Sequence, residues 1–146
     1  MPPAPLVLMV SSRPPAWPAL ALAAWSIVVW AGRLRNLATD DGLTLARTAP
    51  ALGFIVGGLV VALAALRRTS WLPTAVVALA GWTIVVWVVR GTGILIADHD
   101  AGFTAVHTTL AVVSIGLAVL ALSSTARSPT DRRRVRASGN GSRPRP

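Results

Sequence analysis

Asp98-His99-Asp100 and His107 are the residues of this chain best equipped for chemistry. They bring two imidazoles and two carboxylates together, the ligand types of zinc or another divalent cation and the ingredients of an acid–base pair. The spacing argues against a metal centre, because no two histidines share the short helical separation that aims both rings at one ion. A solvated loop followed by an interfacial histidine is the expected reading, with no metal, no cofactor and no enzymatic activity. With no cysteine in the sequence, thiolate metal sites, disulfides and a cysteine nucleophile are excluded together.

Two arginines stand out next. Arg33 and Arg90 each follow a tryptophan, Trp30 or Trp87, by three residues, so each guanidinium can lie over or beside a ring on its own helix face. Arg33 can reach the interface by extending its side chain. Arg90 is followed by Gly91 to Ala97, apolar apart from Thr92, and a charge drawn into hydrocarbon requires a partner. Asp98, Asp100, Asp40 and Asp41 could supply it. The sequence thus predicts an interfacial polar cluster of Arg33, Asp41, Arg90, Asp98, Asp100 and His107, held by ion pairing, with a substrate or ion pathway as the alternative.

The elements that must position these groups are spans. Hydrophobic residues make up 53% of the 146 and charged ones 13%, and the charges collect between and after the apolar stretches, a membrane composition. Spans are expected at Ala16–Leu34, Ala49–Leu66, Trp71–Ile96 and Phe103–Leu122, each near the ~20 residues that cross the hydrocarbon. They must be helical, since lipid satisfies no backbone group and the alternating polarity of a barrel is missing. Pro18 and Pro73 sit near the starts of the odd spans, where a lost N–H costs little.

The chain also repeats itself. Trp25-Ser26-Ile27-Val28-Val29-Trp30 returns as Trp82-Thr83-Ile84-Val85-Val86-Trp87 at an offset of 57. Arg33 matches Arg90 and Asp41 matches Asp98; then the offset becomes 60, and Gly42, Thr44, Thr48, Ala51 and Ile55 fall on Gly102, Thr104, Thr108, Ala111 and Ile115. The fold class predicted is an all-α membrane protein whose four transmembrane helices form two tandem, like-oriented hairpins. Its parts are a flexible N-terminal segment (1–15), a first hairpin (16–66), a basic cytoplasmic loop (67–70), a second hairpin (71–122) and a disordered basic tail (123–146). No signal peptide is expected, because Met1 to Val10 lacks a basic start and its apolar run is very short.

Four spans place both termini on one face. That face carries Arg13, Arg67, Arg68 and the seven tail arginines against Asp131 alone, whereas Arg33, Arg35, Arg47 and Arg90 are balanced by Asp40, Asp41, Asp98 and Asp100 on the other. Both termini are therefore expected in the cytoplasm. Arg67, Arg68, Arg132, Arg133, Arg134 and Arg136 are expected to contact anionic lipid headgroups. Nucleic acid is not an expected partner, because no aromatic residue interleaves with the tail arginines to stack on bases.

Trp17, Trp30, Trp71 and Trp87 are placed for interfacial belts. Trp25 and Trp82 lie nearer mid-span, where the expectation is packing between the two halves. Gly53 and Gly57, spaced for close helix approach, are read as packing residues within the monomer rather than a dimer contact.

The Trp-x4-Trp helix, the Arg exit, the short Asp-bearing loop and the run Gly102-Phe103-Thr104-Ala105-Val106-His107 before Leu110 to Ser114 resemble a family of small two-span actinobacterial membrane proteins of unknown function, here written twice in tandem. The second half matches better, since Phe103, His107 and Ser114 correspond to Leu43, Arg47 and Phe54 in the first. The resemblance implies an actinobacterial cytoplasmic membrane, consistent with a chain whose basic residues are all arginine, and carries no activity. The function expected is a non-catalytic scaffold or interaction subunit with a membrane-protein partner. The alternative is a small homodimeric transporter or channel, weighed down by the absence of an acidic residue within the spans.

Overall fold

The computed structural model describes residues 16–41, 44–97 and 99–126. It holds four long helices: α1 (Trp17–Asn36), continued by one π-helical turn (Leu37–Asp41), α2 (Leu45–Leu66), α3 (Leu72–Ile96) and α4 (Ala101–Ala126). At 1.5 Å per residue each measures about 30 to 39 Å, enough to cross ~30 Å of hydrocarbon. All four are long and apolar enough to span a membrane, with no strand among the described residues. At most 33% of each apolar window is buried in the bundle, and only 17% for α4. The remainder must be covered by lipid or protein.

Each hairpin packs on itself, α1 on α2 and α3 on α4, and the two meet along two seams, α1 with α4 and α2 with α3. Leu22, Phe54, Val61, Val76, Ala80 and Ala118 fill the centre. Pro18 and Pro73 occupy first-turn positions, as their chemistry favours. Between the hairpins the chain turns in five residues. Thr69 N–H donates to the Ala64 carbonyl and Arg68 N–H to that of Ala65, the pattern of a helix stop closed by a left-handed residue. That residue is Arg68, at φ 51°, where glycine would be easier by about 1 kcal/mol.

Three boundaries differ from expectation. α2 starts at Leu45, ahead of Pro50, which lies inside the helix. The proline forfeits only the bond to Ala46, and the Thr48 hydroxyl and amide both return to the Thr44 carbonyl. α4 starts at Ala101 because Asp100 accepts from Phe103 N–H at 2.9 Å, an N-cap bond. At its other end the helix continues through Ala126, so the first residues of the expected disordered tail are helical; Ser123, Ser124 and Thr125 satisfy their hydroxyls on the carbonyls of Val119, Ala121 and Leu122.

Candidate functional site

The tryptophans divide by burial rather than by depth. Trp17 and Trp71, at the starts of α1 and α3, are 56% and 46% exposed, as an interfacial belt requires. Trp30 and Trp87 are buried in the bundle instead, which corrects their reading as belt residues: their rings fill space between helices. Trp30 stacks on Phe54 of α2 with centroids 4.3 Å apart and planes 5° from parallel. Phe54 in turn meets Trp82 of α3 at 6.2 Å. A continuous aromatic column therefore links α1, α2 and α3.

Arg90 joins this column from the side. Its guanidinium lies over Trp30, 5.7 Å from the ring centroid, so the aromatic partner is on α1 and not Trp87 of its own helix. Ion pairing was the expectation for Arg90; the Asp100 carboxylate instead accepts from Phe103 N–H as the cap of α4, and no ion pair joins it to Arg90. Asp98 lies outside the described residues, as do Arg132, Arg133, Arg134 and Arg136; the Asp41 backbone ends the π-helical turn.

The two histidines flank a ring. His99, just ahead of α4, meets Phe103 at a tilt with centroids 4.6 Å apart, and Phe103 stacks on His107 at 3.9 Å, three aromatic groups at four-residue spacing. The phenyl ring separates the imidazoles. His107 Nδ1 sits 2.9 Å from the Phe103 carbonyl, so the tautomer with Nδ1–H donates there. Among the described residues no group of three His, Asp or Glu side chains converges as metal ligands would.

At mid-membrane the matched tryptophans make corresponding contacts. The Trp25 indole N–H donates to Ser114 Oγ of α4 at 2.9 Å, and Trp82 leans on Phe54 of α2. Phe54 and Ser114 are themselves matched at the offset of 60. Each hairpin thus extends its tryptophan to the same place on the other, but only one seam gains a hydrogen bond. The acceptor Ser114 and the hub Phe54 were missed by sequence reasoning; their signal was the pairing of unlike residues at one matched position.

The glycines of α2 do three different things. A Cβ on Gly58 would come within 2.8 Å of Ile27 and 2.9 Å of the Ala23 carbonyl, so α1 and α2 touch there. Gly57 faces Leu79 of α3 at 3.2 Å, while Gly53 faces open space. Gly53, Gly57, Val60, Ala75, Leu79 and Trp82 line an apolar groove of about 430 Å³ between α2 and α3. Arg67 and Arg68 are exposed in the α2–α3 turn, at the opposite end from Arg33 and Arg90.

No protein-family model matches the chain, nor does any curated protein or solved structure.

Proposed function

We propose that this membrane protein is a non-catalytic subunit that packs against another integral protein in the cytoplasmic membrane, with both termini on the cytoplasmic side. One observation carries the reading: the interior of the bundle is apolar, and Thr83 and Ser114, two of its three buried polar side chains among the described residues, are hydrogen-bonded within the bundle. Among the described residues only Ser26, Thr83 and Ser114 are buried and polar. Thr83 donates to the Leu79 carbonyl at 2.7 Å, and Ser114 accepts from Trp25. Such an interior offers an ion or polar solute no succession of ligands to replace its hydration shell. With short loops at both ends, the apolar outer faces are the main surface the protein has to use.

The orientation rests on the arginines of the terminal face, and the same residues, with Arg67 and Arg68 in the turn, would hold anionic headgroups. A tandem duplication of one two-span hairpin, of the kind the actinobacterial resemblance implies, belongs to this proposal. Purification of a tagged copy from its own host in mild detergent, with mass spectrometry of the native complex, tests it. A stoichiometric second membrane protein is the expected result; a clean homodimer overturns it. The like orientation of the two hairpins favours one second reading, a small homodimeric transporter or channel. Flux of ions or a cationic dye through proteoliposomes would establish that alternative.

A further inference from the structure

Trp25 and Trp82 occupy matched positions, yet only the first has a hydrogen-bond partner. Trp25 sits against α4, whose Ser114 accepts its indole N–H. At the place matching Ser114, α2 carries Phe54, which meets Trp82 with a ring that offers no lone pair. Among the described residues the Trp82 N–H has no acceptor, and the side chain is 49% exposed. Trp82 follows Leu72, the start of α3, by ten residues and precedes its end at Ile96 by fourteen. At 1.5 Å per residue it lies about 15 and 21 Å from the two ends, near the middle of a hydrocarbon core ~30 Å thick. Water and ester carbonyls stop at the edges of that core, so a phospholipid presents only methylenes to this donor.

The groove beside Trp82 has the form of a helix seat. Gly53, Gly57 and Val60 line it from α2, and Ala75, Ala78 and Trp82 from α3. Steps of four and three residues put each set on one helix face over two turns. Two such faces side by side form the holes into which a third helix sets its side chains. The backbone carbonyls of that helix are engaged in its own turns, so an acceptor for Trp82 has to be a side chain. A second copy of this chain does not supply one. Among the described residues its hydroxyls at this depth belong to Ser26, Thr83 and Ser114, all buried. The exposed ones lie nearer the helix ends, the deepest being Thr109, eight residues into α4. Since both copies insert the same way up, Thr109 stops roughly 9 Å short of the level of Trp82.

We infer that the α2–α3 groove seats a transmembrane helix of the partner protein, which places a serine or threonine hydroxyl against the Trp82 N–H. The bond would repeat on the outside what Ser114 does for Trp25 within the bundle. This rests on the reading that the protein packs against another integral protein, and it adds where that partner sits and what it must carry.

Photocrosslinking in membranes of the native host tests it, with p-benzoylphenylalanine in place of Val60 or Ala78 in the groove, or of Val112, exposed on α4. An adduct with one other membrane protein is expected from positions 60 and 78 and not from 112. Trp82→Phe, which keeps a ring in place, should lower its yield about fivefold, as loss of one intramembrane hydrogen bond implies. Gly53→Leu should abolish it by filling the groove from a position where an added carbon meets nothing. Both variants, purified alone, should elute as the wild type does, and if Gly53→Leu fails to fold, Trp82→Phe decides. In the purified complex the Trp82 indole proton resonance should lie downfield of its position in the isolated chain. Groove adducts with lipid alone or with a second copy overturn the assignment. A protein adduct from position 112 only overturns it too, while leaving the subunit reading intact; no protein adduct from any position overturns both. A groove adduct indifferent to Trp82→Phe overturns the hydroxyl contact.

Discussion

Helices α2 and α4 hold matched places in the two hairpins, yet they distribute their volume in opposite ways. Where α2 has Gly53, Phe54, Gly57 and Gly58, α4 has Val113, Ser114, Leu117 and Ala118. One presents a single large ring among glycines, the other a small hydroxyl among aliphatic side chains. On α2 this gives the Trp30 and Trp82 contacts, a close approach to α1 at Gly58 and an open groove toward α3. On α4 it gives a hydrogen bond to Trp25. Similar hairpins can therefore be joined by unlike seams, because close packing responds to where volume sits as well as to how much there is.

The largest effect should come from making α2 resemble α4 at its hub. Phe54→Ser removes a fully buried ring from between two tryptophans and should cost about 3 kcal/mol, read as a lower midpoint in a denaturing-detergent titration. Gly58→Leu should follow at about 2 kcal/mol, because the new side chain meets the Ala23 backbone and a carbonyl cannot move aside as a flexible side chain can. Loss of folded protein by size-exclusion chromatography would report it.

A smaller effect belongs to the hydrogen-bonded seam. Ser114→Ala and Trp25→Phe should each cost about 1 kcal/mol, and the double substitution should cost clearly less than their sum in thermal unfolding. Trp82→Phe should be near neutral by comparison, since its indole N–H has no acceptor among the described residues. Additive losses at 25 and 114 would erase the distinction between the seams. Least of all, Gly53→Ala should stabilise by a few tenths of a kcal/mol, because the added carbon meets nothing and glycine is a poor helix former. A loss above about 1 kcal/mol would mean that the open space at residue 53 is needed for folding.

Hydropathy made the four spans legible, and Pro18 and Pro73 marked two helix starts, since both signals act within a single turn of chain. Asp100 was readable as well: an Asp just ahead of an apolar helix is a capping signal, obscured by its neighbour His99, which drew attention to metal chemistry. The start of α2 at Leu45, ahead of Pro50, was not legible from hydropathy, because a proline inside a helix sacrifices one bond that the rest of the helix can spare. The partners of Arg90 and Trp25 could not be read locally. Trp30 lies 60 residues from Arg90, and Ser114 lies 89 from Trp25. Choosing them requires knowing which helices are neighbours, a property of the whole bundle.

The Trp25–Ser114 bond ties the first helix to the last. A ribosome feeding this chain into a bilayer delivers α1 well before the residue that will satisfy its indole. Until α4 arrives, that N–H must stay near water, find a lipid oxygen or borrow a chaperone. The bond thus closes only once α4 has joined α1 in the bilayer, so the first helix keeps an unsatisfied donor through the insertion of the two helices between them.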